Sequence, residues 1–223
     1  MANWRKHGTG RKTGKIAGLL YALVVLIFLM TLAVVLTLNF RWIYYRDITW
    51  MKLEEVSGMN PQVIRANYDA LIDYNLLWHR GALVFPTLPM SESARIHFAE
   101  VKQIFDGIQA ACVISGLVSV CILISTRHKR RWWLKITGIL GFAVPVVLGI
   151  LVAAGWERFF VTFHEMVFSN DYWLFDPAAD PVILILPDTF FFQCAVGIFA
   201  FVLAGGIICL VRAHKKTGTR RRR

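Results

Sequence analysis

The chain has 223 residues, 57% hydrophobic and 17% charged, with a formal net charge of +11. So apolar a composition excludes an ordinary soluble domain and a disordered chain, and it places the protein in the membrane class. The basic excess does not point to nucleic acid, because 17 of the 25 Lys and Arg residues sit in three flanking segments: before residue 16, in "TRHKRRWWLK", and from Arg212 onward.

Four apolar runs are long enough to cross about 30 Å of hydrocarbon as helices: Ile16–Leu38, Ile104–Ser125, Leu134–Ala154 and Thr189–Val211. The first exceeds the 7–15 residues of a signal h-region, and "LTLNFRW" has no small-x-small cleavage site, so it reads as a retained anchor. All 14 acidic residues lie between positions 47 and 106 or between 157 and 188. Against the basic segments, this is the positive-inside pattern. It predicts a multi-pass protein of the cell membrane, with both termini and the turn at Arg127–Lys135 cytoplasmic. The connections 39–103 and 155–188 then face outward. The C-terminal "RRRR" fits a topology signal and a contact for anionic lipid. The expected fold is an all-α membrane protein forming one integral membrane domain over residues 1–223, with four transmembrane helices. Partly interfacial, extracytoplasmic helices are expected between spans 1–2 and 3–4.

In the first outer connection, Asn60 is a natural N-cap and Pro61 suits the first helical position. The apolar face of that helix runs Ile64, Leu71 and Trp78, with Asn67 and Tyr74 on the same stripe. A second helix is predicted to begin near Ser91 and to run without interruption into the second span. Its inward stripe is Ala94, Val101, Ile104 and Ile108, and His97 fills the place three after Ala94 and four before Val101. Asp106 and Gln109 form a further polar pair near the start of that span. Within the spans, Ser115 with Ser119, Gly138 with Gly141, Gly197 and the pair Gly205–Gly206 are small residues at helix-packing spacing. Pro145 is expected to kink the third span. Cys112, Cys121, Cys194 and Cys209 all fall in spans, fit neither a redox nor a zinc spacing, and read as packing residues.

The second outer connection carries the densest polar cluster of the chain, in "FVTFHEMVFSNDYWLFDPAADP". Over a helix from Gly155 to Ser169, Trp156, Phe160 and Phe168 recur at four and eight, and the position between the last two is His164. One histidine on an apolar stripe is ordinarily satisfied by a single hydrogen bond. Two at the same expected depth, each with carboxylates within a turn or two, point to a site, since polar groups near membrane depth are costly without a partner or a task. Glu100 can share a helix face with His97. Asp171 follows His164 by seven, and Asp176 and Asp180 lie beyond. His79, His7, His128 and His214 sit among turn residues or cytoplasmic bases and read as solvated.

Familiar chemistries are excluded by pattern. "HEMVF" opens like a zinc-binding helix, but Phe168 stands where the second histidine is required. There is no nucleophile elbow, phosphate-binding loop or dinucleotide fingerprint. No metal and no cofactor is therefore expected. What remains is acid–base chemistry by histidine on a substrate reached from the outer leaflet. An apolar cavity floored by two imidazoles suits an acyl ester, with the attacking group supplied by the substrate.

The segments "RIHFAEVK" (Arg95–Lys102), "FHEMVFSNDYWLFDPAADPVILILPDTFF" (Phe163–Phe191) and "ANYDALIDY" (Ala66–Tyr74) resemble the lipoprotein intramolecular transacylases, small four-span membrane proteins of Gram-positive bacteria. The family pattern has an aspartate three after the first histidine; this chain has Glu100, which keeps a carboxylate of longer reach. The resemblance implies diacylglyceryl-modified lipoproteins as substrate and partner, with membrane lipid and no nucleic acid. The sn-2 acyl chain would move to the α-amino group of the N-terminal cysteine, giving a lyso-form lipoprotein. His97 and His164 would share the base and acid roles, and Glu100 and Asp171 would orient them. Asn170, Asn67 or Tyr74 would donate to the oxyanion, and Phe160, Phe163, Phe168 and Trp173 would line the acyl groove. Two other readings stand beside it: a non-catalytic four-helix membrane scaffold or sensor, and an intramembrane lipid-ester hydrolase.

Overall fold

The computed structural model describes residues 6–126 and 132–214, with side chains from residue 15 onward. The side chains of the most N-terminal bases, residues 127–131 of the expected basic turn (with His128), and the C-terminal "RRRR" lie outside the described residues. Those described are helical apart from turns and connections, in the order α1 (Lys6–Asn39), α2 (Trp42–Trp50), α3 (Leu53–Ser57), α4 (Pro61–Tyr74), α5 (Glu92–Ser125), α6 (Trp132–Ala154), α7 (Trp156–Val167), a 3₁₀ turn (Pro181–Leu184) and α8 (Asp188–His214).

Four of these helices are long and apolar enough to cross a membrane: α1 from Lys15, α5, α6 and α8. Each contains one of the apolar runs seen in the sequence. At 34 residues, α5 is roughly 50 Å long at 1.5 Å per residue, well beyond the hydrocarbon thickness. Its charged first turns, with Glu92, Arg95, Glu100 and Lys102, therefore precede the apolar stretch that starts at Ile104. The expected uninterrupted passage from near Ser91 into the second span is present. Pro145 lies inside α6, which runs on from Trp132 to Ala154.

The chain forms two compact units. One takes its described residues from 1–33, 111–148 and 199–223, the other from 34–110 and 149–198. In the first unit, small residues bring backbones together. A Cβ on Gly206 would stand 2.8 Å from the carbonyl carbon of Gly141, and one on Gly138 would stand 2.8 Å from the Gly206 carbonyl oxygen. Thr137 is fully buried and donates to the carbonyls of Trp133 (3.2 Å) and Ala22 (3.3 Å). Gly197, grouped with these by spacing, is no packing contact: a Cβ added there would meet nothing within 4 Å. Gly206→Val is accordingly expected to cost about 1–3 kcal/mol by overpacking, and Gly197→Ala to be neutral. Thermal melting of the two variants in detergent checks the contrast.

The second unit is built on a core that includes Tyr44, Ile48, Ile64, Tyr68, Phe98, Val182, Ile185 and Phe190. Tyr44 stacks on Tyr68 with ring centroids 3.6 Å apart, and its hydroxyl donates to the Ile185 carbonyl at 2.6 Å. Arg41 pairs with Asp69 at 3.0 Å and with Asp73, joining the chain before α2 to α4. Asn60 caps α4 as expected, its Oδ1 accepting from the Val63 N–H at 2.9 Å, with Pro61 in the first turn.

Two sequence expectations need correction here. The stripe of α4 does not reach Trp78, which is 72% exposed. The helix ends at Tyr74, where Gln109 donates to the Asn75 carbonyl (2.9 Å) and accepts from the Leu77 N–H (3.1 Å), turning the chain away from the helical path. On α5 the inward face is Ala94, His97, Phe98 and Gln109, while Ile104 is exposed. The polar residues Gln109 and Asp106 are thus committed locally, Asp106 accepting from Lys102 Nζ at 3.0 Å.

Candidate functional site

The start of α5 and the segment 168–187 are held together by one buried carboxylate. Asp180, 3% exposed, accepts from the Ser91 N–H and the Ser91 hydroxyl, each at 2.7 Å. Ser91 Oγ in turn accepts from the Ala94 N–H at 3.1 Å, capping α5. This clamp anchors the returning segment next to the α5 turn that carries His97. Asp180→Ala would leave the Ser91 N–H without its acceptor, at a cost of about 1–3 kcal/mol. Lower thermal stability and faster hydrogen exchange over residues 170–187 are the expected results.

The second histidine arrives on α7. That helix is amphipathic, with its aromatic side on Trp156 and Phe160; Trp156 packs on Phe192 (5.4 Å between centroids) and Phe160 on Phe191 (5.8 Å). It stops at Val167, two residues before the expected Ser169. Phe168 adopts extended backbone, donates its N–H to the His164 carbonyl at 2.8 Å, and buries its ring.

The result is a histidine pair inside an aromatic cage. The rings of His97 and His164 lie 6.3 Å apart. Phe168 packs against both, at 4.7 Å from His97 and 5.8 Å from His164. Phe175 and Phe98 complete the surroundings of His97 at 5.5 and 5.8 Å. Phe160, Trp173 and Phe163 surround His164 at 4.2, 4.9 and 5.5 Å. His97 is 6% exposed and His164 half-buried.

This environment sets the protonation of both groups. Burial, and secondarily the neighbouring His164, push the His97 imidazole down to about 4. Burial also lowers His164, opposed by its hydrogen bond to the Phe160 carbonyl. Both are therefore neutral near pH 7. That hydrogen bond, 2.7 Å from Nδ1 to a carbonyl that can only accept, places the His164 proton on Nδ1 and leaves the Nε2 lone pair as the basic position. His97 Nδ1 is buried with no hydrogen-bond partner among the described residues.

The remaining sequence candidates divide. Asn170 joins the site, donating its Nδ2 to Glu100 Oε1 at 2.9 Å while its Oδ1 accepts from the Tyr172 N–H. Glu100 is thus bonded to Asn170, and among the described residues it forms no ion pair with either histidine. Beside it lies a cleft of about 320 Å³ lined by Glu100, Gln103, Ile104, Val167, Phe168 and Ser169. Asp171 is exposed. Asn67 and Tyr74 are placed elsewhere: Asn67 donates to the Val63 carbonyl and to Thr87 Oγ1 (2.8 and 2.7 Å), and Tyr74 packs on His79 and under Lys102. Residue spacing does not single out Phe98 and Phe175. "YWLF" shows aromatic density, but which ring faces His97 follows only from the Asp180 clamp. Trp173 Nε1 is a further buried donor with no partner among the described residues.

The sequence pattern of the family described as "Lipoprotein intramolecular transacylase Lit" matches residues 19–191. Among solved structures, the membrane integral lipoprotein intramolecular transacylase Lit from Bacillus cereus is 34% identical, with a TM-score of 0.84 over 90% of this chain and 94% of that chain. Two variants of the same Bacillus cereus protein also match. One has a histidine replaced by arginine (33% identity, TM-score 0.80, 95% of each chain), the other by alanine (32%, 0.82, 94% of this chain and 96% of that one). No curated protein sequence matches the chain.

Proposed function

Because the chain belongs to the lipoprotein intramolecular transacylase family and is an acyltransferase integral to the membrane, we propose that it moves the sn-2 acyl chain of a diacylglyceryl lipoprotein onto the α-amino group of the same molecule's N-terminal cysteine. The observation that carries this reading is the pair of neutral imidazoles, His97 and His164, in an aromatic cage. Such a site offers a base and apolar walls for acyl chains, and the substrate brings its own nucleophile.

The steps follow from those groups. Donor and acceptor share one molecule, so most of the entropic cost of bringing them together is already met. The substrate's α-amine, with an ordinary pKa of about 7.7–8.0, attacks the sn-2 ester carbonyl and forms the C–N bond. His164 Nε2 takes the proton from the attacking nitrogen. The oxyanion collapses, the C–O bond to glycerol breaks, and the imidazolium returns the proton to the departing glycerol oxygen. The products are an amide and an alcohol, with no net proton change. Close spacing makes two charged imidazoles unfavourable, so the pair carries one proton at a time, and His97 stays neutral beside the charged His164. The Trp173 indole N–H supplies a donor toward the oxyanion. Phe160, Phe163, Phe168 and Trp173 form the acyl groove.

The partition of basic and acidic residues supports a site facing the outer leaflet, with both termini cytoplasmic and α7 lying at the interface. The test is a synthetic diacylglyceryl lipopeptide carrying a deuterated sn-2 chain, incubated with the purified protein. The deuterated acyl chain in amide linkage to the cysteine nitrogen, with one chain left on glycerol, is the expected product. Deuterated free fatty acid would show a hydrolase instead.

A further inference from the structure

Glu100 is a carboxylate with only half of its hydrogen-bonding accounted for. Asn170 donates to Oε1 at 2.9 Å, which fixes the side chain, whereas Oε2 is buried and has no partner among the described residues. The residue lines the 320 Å³ cleft, and Phe168 forms both a wall of that cleft and the packing surface of the two imidazoles. His97 lies one helical turn before Glu100 on α5. A buried, unpartnered carboxylate oxygen on a residue that lines a partly apolar cleft is costly unless a positive partner completes it.

We propose that Glu100, held by Asn170, is the receptor for the α-ammonium of the substrate's N-terminal cysteine, and so selects lipids that carry a free amino terminus. This rests on the transfer chemistry above and adds to it what the enzyme recognises before reaction. At neutral pH the α-amine is largely protonated. In that state it can donate a charge-assisted hydrogen bond to the free carboxylate oxygen. An anionic lipid phosphate at the same place would be repelled, which matters in a bilayer where sn-2 esters are abundant. The contact stabilises the ammonium and not the attacking free amine, so it tightens ground-state binding and is given up before attack. The ammonium first gives one proton to solvent, and His164 takes a second from the nitrogen as the freed amine attacks.

The test uses two inert ligands: lipopeptides whose sn-2 ester is replaced by an ether, one with the cysteine α-amine and one with hydrogen in its place. Their binding to the full-length protein in detergent is measured at pH 6.5. The amine-bearing ligand is expected to bind about tenfold or more tightly than the des-amino ligand, as a charge-assisted hydrogen bond implies. Glu100→Gln should cut that preference to about threefold or less, and Glu100→Asp should keep most of it. With the ester substrate, Glu100→Gln should raise KM and kcat together, because the bound ammonium is no longer held back from deprotonation. Equal binding of the two ligands by the wild-type protein would overturn the proposal, and needs no variant to fold. A preference retained in Glu100→Gln would also overturn it, by placing the ammonium elsewhere. Neither result touches the transfer reading, which stands or falls separately on whether the ester substrate yields N-acyl product.

Discussion

Replacing His164 with asparagine is expected to lower the rate of transfer by about 10²–10⁴-fold, the range that positioned acid–base groups contribute. Asparagine keeps a polar side chain in the half-buried position, so the variant should fold and melt close to the wild-type protein. The loss should fall on kcat, because the acyl groove formed by Phe160, Phe168 and Trp173 is intact and ground-state binding is little changed. Phe160 sets which nitrogen of His164 acts. Its carbonyl, 2.7 Å from Nδ1, fixes one tautomer and leaves Nε2 as the only basic position of that ring. Asn at position 97 removes the imidazole that stays neutral beside His164, so it should also lower kcat but by less, and the double variant should be little worse than His164→Asn alone, as groups acting as a unit behave. Rate assays on the purified variants check this; turnover near wild type in both single variants would remove the histidines from the mechanism.

The second large effect is on stability. His97 titrates in the folded protein at about 4, against an ordinary value of 6.5. Between these values the unfolded chain takes up a proton that the folded protein refuses. The stabilising contribution is therefore fully present above pH 6.5 and is lost as pH falls toward 4. The shift corresponds to up to about 3 kcal/mol, and His164, lowered in the same sense, adds to it. The thermal midpoint in detergent should fall steadily over this window, and His97→Asn should flatten the fall. The same depression bears on catalysis. Neither histidine should impose an inflection near pH 6.5 on kcat/KM, which should instead rise toward the substrate amine at about 7.7–8.0. An inflection at 6.5 that disappears in His164→Asn would contradict the protonation states derived from burial.

Much of this is legible in the sequence because it is periodic or local. The four apolar runs, the Asn60–Pro61 helix start and the entry of α5 near Ser91 are written within single elements, where residue spacing carries the information. His97 and His164 stand out for the same reason: each occupies a place where its own helix calls for an apolar side chain. What lies between elements is not legible. Asp180 and Ser91 are 89 residues apart, and nothing local marks one as the other's partner. The same clamp carries Phe175 to His97, so that neighbour cannot be named from spacing. Glu100 shares a helix face with His97, yet its hydrogen bond goes to Asn170, 70 residues away. Trp78 fails in the other direction. The stripe Ile64–Leu71 extrapolates to it, but Gln109 reaches across from α5 and ends the helical path first.

The most direct measurement is mass spectrometry of a reporter lipoprotein's N-terminal peptide from cells that lack other N-acylating enzymes. It is run with the wild-type protein and with the His97→Asn/His164→Asn double variant, both shown to be in the membrane. N-acyl, S-monoacylglyceryl cysteine should appear with the wild-type protein and be absent with the double variant. Diacylglyceryl cysteine left unchanged by the wild-type protein, or the N-acyl product formed equally by the variant, would contradict histidine-driven intramolecular transfer.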